Sequence, residues 1–203
     1  MKIKLKLFPV SSAVLNKMRI KRKNRLDSLL IIGSTSRKAG KTTLVCRIIE
    51  KFKYKNIIAI KITTLRKGDK IFHREKITNS KGFIIKPEGP RDANKDTSRF
   101  LATGAQKAFW LIAKSECLEN GINSLFEKMP GKAVLICETN SLRQIIKPAV
   151  FIMVKGKGKI KPSASKILRY ADVIIKNNEV DDFLKNLKII SGKWMIKKSK
   201  RSP

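Results

Sequence analysis

The sequence predicts a three-layer α/β fold around a mainly parallel sheet, and three observations predict it. Short apolar runs alternate with amphipathic stretches along the chain. The first of these, Ser28 to Ile62, reads as strand, helix, strand at the length of a βαβ unit, whose crossover is right-handed. Between its strand and helix lies a tight loop ending in Gly40-Lys41-Thr42, residue types that let a backbone wrap an anion at a helix start.

That loop organises the rest. Leu29-Leu30-Ile31-Ile32 is a buried strand, and Leu44, Val45, Ile48, Ile49 and Phe52 form the apolar stripe of the helix that follows, about Lys41 to Lys53. Gly40 lets the backbone approach phosphates, and the amides of Ser36, Arg37, Lys38, Ala39, Gly40, Lys41, Thr42 and Thr43 are the expected cradle. Lys41 is placed to reach β- and γ-phosphates and Thr42 to hold Mg²⁺. A Gly-Lys-Thr that merely caps a helix is the plainer explanation, but the strand before it and the stripe after it speak for a nucleotide-binding P-loop (Walker A) and a P-loop NTPase fold. The spacing puts Thr35 where the motif has its first glycine, a place a threonine fits only with negative φ, and the nearest glycine, Gly33, comes two residues early.

The remaining elements follow in order. Residues 1–25 are a basic arm, Lys2, Lys4 and Lys6 alternating with Ile3, Leu5 and Leu7 before the cluster Arg19 to Arg25. After the loop helix, Asn56 to Ile62 is a strand apolar enough to be central, which brings Lys61, Thr63 and Thr64 to the carboxyl end of the sheet. Arg66 to Asn94 is polar and glycine- and proline-rich, a loop over the site with an edge strand at Gly82 to Ile85; the lone His73 lies in it and reads as a surface residue. Lys95 to Ala105 is a short helix begun by Asp96, Lys107 to Ala113 a strand, and Ser115 to Lys128 a helix closed by Pro130-Gly131.

The strand Lys132 to Asn140 ends in Glu138, as a Walker B element does, and an acid at the tip of an apolar run needs a partner. Pro148 to Val154 is a strand, Pro162 to about Tyr170 a helix, Asp172 to Asn177 a last strand with Asn177-Asn178 where a base would lie, and Val180 to Leu187 a short helix. The domain is thus expected over 26–190, with 191–203 a loose basic tail.

Composition bounds the function classes. No apolar run approaches the ~20 residues that cross a bilayer. Cys46, Cys117 and Cys137 are scattered in apolar contexts, which disfavours zinc and disulfides and fits buried reduced thiols and a cytoplasmic setting. The formal net charge of +32 would attract nucleic acid, yet the lysines spread along the whole chain rather than along one face.

Five segments carry a family resemblance: Ala39-Gly40-Lys41-Thr42-Thr43-Leu44, Ile60-Lys61, Lys95-Asp96-Thr97-Ser98, Thr103-Gly104-Ala105 and Ile136-Cys137-Glu138-Thr139. On these the chain resembles the MobB family, P-loop adapter proteins of molybdopterin-guanine dinucleotide biosynthesis among the SIMIBI-type NTPases. The likeness covers roughly Leu29 to Ala113 and the Glu138 strand. It implies ATP or GTP binding with Mg²⁺, weak hydrolysis, a partner enzyme of molybdenum cofactor biosynthesis, and a homodimer. The expected magnesium set is Thr42 with Asp96 or Glu138, directly or through water, and Glu138 alternatively orients the attacking water. The chain departs from the family in having Ile62, Thr63 and Thr64 where the family has histidines, and Thr139 in place of a glycine. Residues 139–148 and 155–162 have no counterpart. A small-molecule kinase with the Arg66–Asn94 loop as lid, and a nucleic-acid-binding protein regulated by nucleotide, are the alternative expectations.

Overall fold

The computed structural model describes residues 25–65, 81–89 and 95–197. The expected basic arm, save Arg25, lies outside the described residues, as do His73 and most of the expected lid. The described chain runs β1 (Arg25–Ser34), α1 (Lys41–Lys51), β2 (Ile57–Leu65), β3 (Phe83–Pro87), α2 (Asp96–Ala102), β4 (Lys107–Lys114), α3 (Leu118–Phe126), β5 (Val134–Glu138), β6 (Lys147–Val154), α4 (Pro162–Leu168), β7 (Val173–Ile175), α5 (Val180–Asn186), β8 (Leu187–Ile190) and β9 (Lys193–Ile196).

Seven strands form one sheet in the order β3-β4-β2-β5-β1-β6-β7, parallel throughout except for β3, which pairs antiparallel with β4 at one edge. This is the predicted three-layer arrangement. β1 is central because its apolar run is buried on both faces. Leu30 and Ile32 point into one core with Leu44, Val45, Ile48 and Ile49 of α1 and Phe183 and Leu184 of α5. Leu29 and Ile31 point into the other with Leu118, Ile122 and Leu125 of α3 and Ile167 of α4. The period of two thus divides four consecutive apolar residues between two layers.

β1 pairs with β5 on one side and β6 on the other, with Ile32 opposite Glu138 and Ser34 opposite Val154. The carboxyl ends of β1, β2, β5 and β6 therefore open onto one side of the sheet, where a doubly wound fold gathers its ligands. No helix of the described residues is long and apolar enough to cross a membrane.

The end of the chain corrects the expectation of a domain closing at 190. Residues 187–196 form the antiparallel hairpin β8–β9, turned by Ser191 and Gly192, both with positive φ. Trp194, 1 % exposed, fills the first core, stacks edge to face on Phe52 at 5.5 Å and donates its indole N–H to the Leu135 carbonyl at 2.9 Å. Residues 191–197 are thus part of the domain rather than a loose tail.

Candidate functional site

The turn from β1 into α1 is held from outside. Asn140 accepts from the Ser34 N–H at 2.9 Å and donates back to the Ser34 carbonyl at 3.0 Å. Gly33 makes room for that clamp, because a Cβ there would lie 2.9 Å from Asn140 Oδ1 and 2.6 Å from Met153 Sδ. This is what the early glycine does.

Thr35, 4 % exposed, keeps a negative φ as its place requires, since Lys38, Asn56 and Ser191 are the non-glycine residues of the described chain with positive φ. Its N–H donates to Val154 O at 3.0 Å, its carbonyl accepts from Lys161 N at 2.8 Å, and its hydroxyl accepts from Gly156 N at 2.9 Å. The loop after β6 is therefore laced onto the loop after β1. Lys38 (φ 53) and Gly40 (φ 91) take the left-handed conformations that reverse the chain, the lysine at a cost of about 1 kcal/mol. No side chain caps the N-terminus of α1, so its first amides are left for a ligand or solvent.

The charged groups converge at the tip of β5. Glu138, 7 % exposed, accepts the Thr42 hydroxyl hydrogen bond at 2.9 Å, and its other oxygen lies 3.7 Å from Lys41 Nζ. Lys41 also donates to Ser34 Oγ at 3.2 Å. Here the buried carboxylate finds the partners that its position demands. Of the expected magnesium set, Thr42 and Glu138 meet. Asp96 borders the same cleft of about 370 Å³ beside Lys38–Thr43, but its carboxylate is paired with Lys61. Among the described residues no cluster of three or more histidine, cysteine or acidic side chains is gathered for a metal. A hydroxyl beside a carboxylate is nevertheless an oxygen donor set that fits a small hard cation, with phosphate oxygens and waters as its remaining ligands.

Ser36 and Ala39 are buried, while Arg37, Lys38 and Thr43 are exposed around the turn. Asn177 comes within contact of Gly40, where an added Cβ would lie 2.8 Å from its Oδ1. With Asn178, Arg37 and the 155–158 loop it borders a cleft of about 860 Å³.

Lys161 is the residue that sequence reasoning did not single out. Partial burial pushes its ammonium below the ordinary value, Lys41 and Arg37 push the same way, and Glu138 opposes them. The dense lysines of 155–161 marked it, but nothing in that run distinguishes the inward lysine from the exposed ones. Lys161, Arg37, Lys41, Lys61 and Glu138 border a third cleft, of about 740 Å³. The same cleft carries a line of hydroxyls: Thr64 and Ser141 are 2.5 Å apart, and Ser141 and Thr139 are 3.1 Å apart. Thr63 beside them accepts the Trp110 indole N–H at 2.9 Å.

Compared with protein-family models, with curated proteins and with solved structures, the chain finds no match.

Proposed function

We propose that the protein binds a nucleoside triphosphate, ATP or GTP, with Mg²⁺ at a P-loop formed by residues 35–42, and hydrolyses it slowly. The observation that carries this reading is the meeting of Lys41, Thr42 and Glu138 at the uncapped start of α1. Anions favour that position for two reasons: unpaired amides and the positive end of the helix dipole. Lys41 would exchange its contacts with Ser34 and Glu138 for β- and γ-phosphate oxygens. Thr42 and Glu138 would hold the magnesium, Glu138 directly or through a water. When bound, the ion neutralises charge on the phosphates.

Asp96, tied to Lys61, is the weaker of the two expected acids. Slow turnover fits a carboxylate whose oxygens are already engaged by a hydroxyl and an ammonium rather than free to orient a water. Asn177 and Asn178 border the cleft beside the turn and would be the groups to meet a base there. The adapter role in molybdenum cofactor biosynthesis, with its partner enzyme, rests on the sequence resemblance alone.

The test is a titration with ATP and with GTP, each with and without Mg²⁺, followed by turnover on whichever binds. Magnesium-dependent binding with slow turnover supports the adapter reading. No binding of either nucleotide refutes the P-loop reading. The cleft of about 740 Å³ that shares Arg37, Lys41 and Glu138 with the turn favours a second reading, a small-molecule kinase on the same scaffold. Nucleotide consumption that depends on an added metabolite separates the two.

A further inference from the structure

Three stretches of the chain border the cleft of about 740 Å³: Lys61 to Thr64 at the end of β2, Glu138 to Ser141 after β5, and Lys161 after β6. These positions are remote in sequence, yet they meet in one place. Thr64, Ser141 and Thr139 form a connected line of hydroxyls in the 740 Å³ cleft, and Thr63 and Lys161 border the same cleft. Segments so far apart in sequence that border a single cavity have the form of a ligand site.

The cavity's chemistry specifies the ligand. Its border carries the cations Arg37, Lys41, Lys61 and Lys161 against one carboxylate, Glu138. Lys61 is neutralised by Asp96 and Lys41 lies beside Glu138, whereas no carboxylate of the described residues pairs with Arg37 or Lys161. Two cations without a salt-bridge partner among the described residues, in a cleft that also carries a line of hydroxyls, suit an anion that itself bears hydroxyl groups, because each serine or threonine oxygen both donates and accepts. The volume is that of a metabolite site rather than a macromolecular surface.

We propose that this cleft binds a second small molecule, a hydroxylated carboxylate or phosphate ester, next to the terminal phosphate of the bound nucleotide. The inference rests on the nucleotide reading for the position of that phosphate, which Lys41 and Glu138 mark as the point where the two clefts join. The anion would meet Lys161 and Arg37, and its hydroxyls the line from Thr64 through Ser141 to Thr139.

The experiment is calorimetry on the full chain saturated with a non-hydrolysable triphosphate and Mg²⁺, so that the turn is already filled. Citrate serves as the carboxylate probe and glycerol 3-phosphate as the phosphate probe, run on wild type, Thr64→Val and Ser141→Ala. The expected result is that at least one probe binds at millimolar concentration or below, and that both variants weaken it about tenfold while triphosphate affinity stays within about twofold. Which probe wins distinguishes the carboxylate from the phosphate ester. Absence of binding by both probes, or binding that is equal in wild type and both variants, overturns the proposal. If the triphosphate itself does not bind, the nucleotide reading fails instead. The same probes are then titrated into the free protein with the same variants, where the same criterion decides the cleft.

Discussion

The hydroxyl of Thr35 accepts the amide of Gly156 at 2.9 Å, across 121 positions of sequence. A threonine at the motif's first glycine place is thus a fastening for the loop after β6. Gly156 must be a glycine for this, since a Cβ there would overlap Ser36 Oγ and lie 2.9 Å from the Ala39 Cβ. Gly156→Ala is expected to push the 155–158 loop off the turn and to weaken triphosphate binding by about tenfold, with a small shift in melting temperature. Calorimetry beside a thermal melt checks it, and wild-type affinity in the variant would show that the fastening does not shape the site.

Lys41→Ala is expected to lower triphosphate affinity about 100-fold, since it removes a charge-assisted contact to two phosphates. The far-ultraviolet circular dichroism spectrum is expected to stay that of the wild type, because Lys41 contributes no core packing.

Glu138→Gln keeps an acceptor for Thr42 but removes the charge. The expected outcome is a loss of most of the difference in affinity with and without Mg²⁺, measured by titrating nucleotide in magnesium and in a chelator. An unchanged magnesium dependence would move the metal role to Asp96.

The depressed Lys161 ammonium gives a pH dependence with a definite sign. Burial is the main cause, Lys41 and Arg37 add to it, and Glu138 opposes it. A bound polyphosphate would favour the charged form and raise that pKa again. Nucleotide binding is therefore expected to take up protons on the alkaline side, and affinity to fall with rising pH earlier than an ordinary lysine would dictate. Stability moves the other way. Between the folded value and the ordinary 10.5 of the unfolded chain, the unfolded state holds more protons, so stability attributable to this group rises with pH. Calorimetry in buffers of different ionisation enthalpy checks the uptake, and Lys161→Met should abolish it.

Trp194→Ala is expected to cost about 3–5 kcal/mol of stability, the range for emptying a buried aromatic site. Trp194→Phe should cost less, mainly through the Leu135 carbonyl that loses its donor. Chemical denaturation of the two variants against wild type measures both.

Much of this architecture was legible because buried parallel strands are unbroken apolar runs, and β1, β5 and β6 are such runs. Glu138 was readable for a related reason, since an acid at the end of an apolar strand points to the carboxyl edge of the sheet, and Lys41 and Thr42 were readable from the Gly40-Lys41-Thr42 turn at the start of α1. What escaped depends on pairings that no local pattern contains. β2 continues through Thr63 and Thr64 to Leu65 because Trp110 and Ser141 take up their hydroxyls. The β8–β9 hairpin hid in a basic stretch because Lys188 and Lys193 face outward, leaving Trp194 and the Ser191-Gly192 turn as its signals. The Lys61–Asp96 pair links positions 35 apart whose register only the folded chain sets.

The strand order carries a further consequence, for how the chain is made. Among the described strands β1 comes earliest and pairs with β5 and β6, which begin at Val134 and Lys147, so its ladder partners are made about 100 residues later. At synthesis rates of roughly 5–20 residues per second, the ladder edges of Leu29 to Ile32 stay unpaired for about 5–20 seconds, a time long compared with hydrophobic collapse. During that interval the nascent chain would present an open strand edge, so translation speed and holding by chaperones are expected to bear on the yield of folded protein.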